Sequence, residues 1–138
     1  MTDADLVAKR LAFIETCLRE LRTLARPAKI RADVRERRFI EHTLQLAIQA
    51  ALDIASHVVA DERLGEPETQ ADLFRVLASN GWLEHGLSER LARMAGMRNV
   101  LVHGYTAVDL DLVRDAVENH LGDLDDLVGG VRSRLASS

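Results

Sequence analysis

Between Ile40 and Val59 an apolar residue returns at every helical turn. Ile40, Leu44, Ala47, Ile48, Ala51, Ile54, Ala55, Val58 and Val59 keep to one side of a helix, the repeat of an α-helix and not the alternation of a strand. The spacing predicts one helix from about Ala32 to Glu62, stopped by Gly65 and Pro67. An apolar side this long has to be covered, because a helix draws most of its stability from what packs against that side. The rest of the chain must therefore supply helices around it.

It does so in further segments of the same kind. A first helix is expected from a cap at Thr2 to Arg26, with Leu6, Phe13, Ile14, Cys17, Leu21 and Leu24 as its apolar positions and Pro27 as its end. A short helix runs from about Thr69 to Ala78 and stops at Asn80-Gly81; another opens at Ser88 with Arg90 and Leu91 and ends near Gly104. The last starts at Asp109 and runs to about Leu135. Two prolines, eight glycines and 4% aromatic residues leave nothing to punctuate a β-protein. With short connections, the expectation is an all-α fold: an antiparallel, up-down four-helix bundle with an additional short helix, one domain over residues 1–138. One cysteine, Cys17, excludes a disulfide within the chain and suits a reducing cytosol. No apolar run approaches the length of a membrane span and MTDADLVAKR lacks a signal-peptide pattern. The expected setting is cytoplasmic, with no membrane partner.

The net charge of −4 excludes a polycation, but the charges are not evenly spread. Arg19, Arg22, Arg26, Lys29, Arg31, Arg35, Arg37 and Arg38 face only Glu20, Asp33 and Glu36 in their stretch. From Asp109 to Asp126 the acids dominate, with Arg114 as the one cation. Such asymmetry guides an anionic ligand to one face and a basic partner to another; its plainer meaning is solvated helix surface.

The residues that look chosen for chemistry lie in RNVLVHGY, Arg98 to Tyr105. Arg98 and His103 stand five positions apart, about 140° around an ideal helix. Gly104 suits the position just past a helix end, so the helix can stop there and leave His103 on its last turn. Val100, Leu101 and Val102 are expected to bury the helix end while Arg98 and His103 face a polar cleft. Two readings stay open on chemistry alone: a helix C-terminus with a dipole-favoured histidine and a salt-bridged arginine, or a site for phosphate and proton transfer. On the long helix, Gln45, Gln49, Asp53 and His57 form a polar row. Asp53 can hold Arg98 in place from there, or the row is simply the wet side of an amphipathic helix. His42, His85 and His120 show no metal-ligand spacing, and no glycine-rich nucleotide loop is present, so neither a metal nor a cofactor is expected.

The spacing Arg98, Asn99, Val100-Leu101-Val102, His103, Gly104, Tyr105 resembles the R-x4-H-x-Y signature of HEPN-domain proteins. More narrowly, it is similar to HepT toxins paired with minimal nucleotidyltransferase antitoxins. The preceding LSERLARMAGMRN and the upstream RFIEHTLQLAIQAALDIASHVV extend the likeness from about Arg37 to Tyr105. One position departs: His42 follows Glu41 where the resemblance would place an arginine, which removes one phosphate contact. The resemblance implies a toxin that cleaves RNA without a metal in a homodimer cleft. Arg98 and His103 would be the catalytic residues, Asn99 and Asp53 would support them, and Tyr105 would receive AMP from the cognate nucleotidyltransferase. The other reading is a non-catalytic helical dimerisation or nucleotidyltransferase-accessory module.

Overall fold

The structure, a computed structural model, describes residues 2–103 and 109–137. Six α-helices occur among them: α1 (Ala4–Leu24), α2 (Val34–Asp61), α3 (Asp72–Ser79), α4 (His85–His103), α5 (Leu110–Asn119) and α6 (Leu121–Ala136). A 3-10 turn at Pro27–Lys29 joins α1 to α2. The expected all-α bundle is there, with α1, α2, α4 and α6 as its long members.

Helix α2 is the pillar. Ile40, Leu44, Ala47, Ile54, Ala55 and Val58 are fully buried, and α1, α3, α4 and α5 all pack against it. Truncating a leucine or isoleucine in such a place to alanine costs about 2–5 kcal/mol. By length and mean hydropathy α2 is apolar enough to cross a bilayer, against the expectation that no run reaches that length. Most of that window, 61%, is covered by the other helices, as in the core helix of a bundle.

Cross-helix pairs give the directions. Asp3 and Arg10 of the α1 region reach Asp61 and Asp53 respectively, so α1 climbs as α2 descends. Arg22 and Glu15 of α1 make two-pronged ion pairs with Asp125 and Arg132 of α6, again antiparallel. Arg75 of α3 binds Glu89 of α4, and Arg90 of α4 binds Asp123 of α6 at 2.9 Å.

Aspartates cap the starts of α1, α2 and α5. Asp3, not Thr2, caps α1 through the amide of Leu6; Asp33 caps α2 and Asp109 caps α5. Helix α4 begins at His85, one turn before Ser88, whose hydroxyl is buried and donates to the His85 carbonyl. Gly65 (φ 136°) and Gly81 (φ 80°) turn the chain just after α2 and α3 in a region where side chains are strained.

The expected single helix from Asp109 to Leu135 is two. The backbone bends at His120 (φ −124°, ψ 5°), and Asn119 and His120 both hydrogen-bond back to Asp115, at 2.8 and 3.0 Å. These bonds hold Asp115 below the usual carboxylate range, Asn119 more than His120. The cause of the bend is packing. Helix α5 lies against α2 and the 3-10 turn while α6 lies against α1 and α4, and a straight rod cannot do both.

The α1–α6 clamp yields a pH prediction. Arg132 holds the Glu15 carboxyl below its usual value of 4.5, mainly by hydrogen bonding. A depressed folded value adds stability above the unfolded one, and that contribution is lost as pH falls through the folded value. Thermal melts of the native chain and Glu15→Gln should differ at pH 7 and converge below pH 4; a constant gap across that range would exclude this pair as the source.

Candidate functional site

Helix α4 delivers the motif on its last turns. Arg98 is half-buried; one of its terminal nitrogens donates to Asn99 Oδ1 at 3.2 Å, and its Nε is buried with no partner among the described residues. An unmatched buried N–H costs free energy, so this guanidinium keeps the capacity for a further acceptor. Asn99 itself is exposed and lies beside the cation. His103 closes α4 in the backbone. Its side chain lies outside the described residues, as do Gly104 and Tyr105.

Asp53 does not meet Arg98 as expected. It accepts from Gln49 Nε2 at 2.9 Å and from Arg10 of α1 at 3.4 Å. The polar row of α2 therefore turns toward α1, since α1 brings a cation to the level of Asp53 that the apolar spacing of α1 did not advertise. Gln49 Oε1 and Arg10 Nε are also buried without a partner among the described residues. Sequence reading missed Arg10, and its only signal was a cation on the polar side of α1 opposite an acid on α2.

Val100 is 43% exposed and does not bury the helix end. It stands instead at the mouth of a cleft of about 580 Å³ between α4 and α5, walled by Met94, Met97, Leu101, Leu112 and Val113. Leu112 is itself 57% exposed. Arg90, Arg93, His120 and Asp123 stand at its polar end. The clue in the sequence was Leu112, an aliphatic residue on the outer side of a helix that is otherwise acidic there.

The same end of the bundle carries the basic segment. Arg31, just past the 3-10 turn, binds Asp111 in the first turn of α5 at 2.6 Å. Asp109 and Leu112 line the cleft together with Val100 and Leu101. The end of α4, the start of α5 and the α1–α2 corner are thus neighbours. Among the described residues no three His, Cys, Asp or Glu side chains gather to hold a metal ion.

Against known proteins, a family model described as ribonuclease HepT-like matches residues 14–130. The mRNA nuclease HepT of Shewanella oneidensis is 28% identical over 130 residues, 94% of this chain and 98% of that protein. The solved structure of a tri-AMPylated HEPN toxin of Shewanella oneidensis in complex with an MNT antitoxin matches with a TM-score of 0.85 at 28% identity, over 96% of this chain and 99% of that one. YutE of Bacillus subtilis, a cytosolic protein of unknown function, matches at 0.88 with 18% identity over 99% and 92%, and so shares the fold.

The Arg10–Asp53 pair is open to a double-mutant cycle. Half-exposed pairs of this kind couple by about 0.2–1 kcal/mol. Arg10→Ala and Asp53→Ala should show that coupling in chemical denaturation, while Asp53→Ala and Arg98→Ala should simply add. Coupling between Asp53 and Arg98 larger than that with Arg10 would restore the direct contact.

Proposed function

The chain belongs to the HepT-like ribonuclease family, and we propose that it is the RNA-cleaving toxin of a pair whose other member is a minimal nucleotidyltransferase. The observation that carries this is the reach of the family match, residues 14–130, which takes in α2 and the whole of Arg98–Tyr105. The Shewanella oneidensis relatives, an mRNA nuclease and a toxin bound to its antitoxin, support the same reading. The same reading sets the work in the cytoplasm, where its RNA substrate and the ATP used by the partner are found.

Cleavage proceeds through the RNA's own 2′-hydroxyl and needs no metal. The 2′-oxygen forms a bond to phosphorus, the bond to the 5′-oxygen breaks, one proton leaves the attacking oxygen and another reaches the departing one. His103 is the proton carrier, because an imidazole exchanges a proton near neutral pH. Arg98 binds the crowded phosphate; its planar fork fits two oxygens and keeps its charge. Asn99 sets the angle of that fork. Asp53 contributes at one remove, fixing α1 to α2 through Arg10 and Gln49.

One chain brings one His103, and the reaction uses a base and an acid. A two-fold dimer supplies both and sets two Arg98 side chains about the phosphate. The exposed Val100 and Leu112 at the α4–α5 cleft support it, as an apolar surface that a second chain would cover.

Tyr105 is the modification site in this reading. Its phenol oxygen bonds to the α-phosphorus of ATP, pyrophosphate leaves and the phenol proton passes to solvent or a base of the partner. The new phosphodiester brings a negative charge within reach of Arg98 and occupies the place of the scissile phosphate.

His103→Ala and Arg98→Ala should each lower RNA cleavage by at least about 10²-fold and relieve growth arrest, with circular dichroism unchanged. Cleavage should continue in EDTA and should track the dimer in sedimentation. Equal cleavage by His103→Ala would return the chain to the non-catalytic reading. Tyr105→Phe should keep cleaving but neither gain adenylate mass from the partner with ATP nor be silenced by it; modification of that variant to the native extent would place the acceptor elsewhere.

A further inference from the structure

The basic α1–α2 corner has more cations than the fold uses. Arg31 is tied to Asp111 and Arg22 to Asp125. Lys29, Arg35, Arg37 and Arg38 make no ion pair among the described residues, and all but the half-buried Arg37 are exposed. Of the acids in this stretch, Asp33 caps α2 and Glu36 accepts the Arg26 amide; Glu41, three residues after Arg38, remains beside the patch. Arg35, Arg38 and His42 fall within about 60° of one another around α2, by its 100° turn per residue. They also ride on the N-terminal turns of a 28-residue helix, whose dipole adds to their field. Like charges set this close repel one another, and the fold does not need them for packing. Solvent accounts for any one of them, and an anion lying across the set would offset their mutual repulsion.

Their place decides which anion. Arg31 and Asp111 lock the corner to the start of α5, and the start of α5 shares a cleft with Val100 and Leu101, the turn of α4 between Arg98 and His103. Through the start of α5, the corner thus lies at the same end of the bundle as the turns of α4 that carry Arg98. We propose that Lys29, Arg35 and Arg38, with His42 at the edge, form a track for single-stranded RNA flanking the scissile phosphate. The proposal rests on the ribonuclease reading and extends it to a surface away from the motif. Binding there is electrostatic and indifferent to base identity, so it adds affinity for longer RNA without choosing the cleavage site.

The test separates the two readings. Oligonucleotides with 2′-methoxy groups cannot be cut by 2′-oxygen attack, so binding is measured without cleavage. Fluorescence anisotropy with the full chain compares 4-mers and 20-mers for the native protein, Arg35→Glu/Arg38→Glu, the milder Arg35→Gln/Arg38→Gln, and Lys9→Glu as a control on exposed α1. The double reversal should weaken 20-mer binding at least tenfold and leave the 4-mer within twofold. The neutral pair should fall between, and Lys9→Glu should match native. The slope of log affinity against log salt should flatten by about 1.4, at about 0.7 per lost phosphate contact. Equal loss for both lengths, no loss in a variant with native circular dichroism, or dissociation of a protein complex in place of RNA loss would overturn the track. Length-dependent binding by a native protein that cuts no RNA would keep the track and discard the nuclease reading.

Discussion

Everything in this molecule hangs on the burial of α2. Its apolar side meets four other helices, and Ile40, Leu44, Ala47, Ile54, Ala55 and Val58 have no exposure left. Because that side is so wide, only a narrow strip of α2 remains for polar residues, and the strip must run where neighbouring helices part. Gln49 and Asp53 lie in it. The polar part of the fold is thus a by-product of how completely the pillar is covered.

Helix ends, not helix middles, carry the polar groups that the fold leaves without a packing task. The interior of the bundle is mostly aliphatic packing, and polar groups collect at one end: Arg98 on the last turns of α4, the Asp109 cap and Asp111 on α5, and the arginines of the α1–α2 corner. Truncating polar groups there disturbs little packing, which lets one end of a stable bundle be shaped for a ligand. The ion pairs between α1 and α6 and between α4 and α6 fix the relative height of the helices that bring those ends together. Their energy is modest; their value is register.

Charge is distributed along the same lines. Where an arginine has a structural task it has an acid, as Arg22, Arg75, Arg90 and Arg132 do. Arg98 at the α4 terminus and Lys29, Arg35 and Arg38 at the adjoining corner make no ion pair among the described residues, and neither do Arg63, Arg93 and Arg134 elsewhere. A net charge of −4 hides this arrangement, since acids are spread over every helix and only locally, as from Asp109 to Asp126, outnumber the cations.

The sequence by itself determined the helical architecture, the identity of the pillar and the motif from Arg98 to Tyr105, because each is written in local spacing: a three-to-four repeat, a proline or glycine stop, an arginine and a histidine five apart. Tertiary structure alone decided what local spacing does not encode. It split the last helix at His120, because α5 and α6 must lean on different neighbours. It paired Asp53 with Arg10 instead of Arg98, because the register of α1 on α2 puts that cation there. It left Val100 and Leu112 in the open, since covering them needs a surface that this chain's own described helices do not offer. Periodicity says which side of a helix is apolar; only the meeting of helices settles which atoms touch.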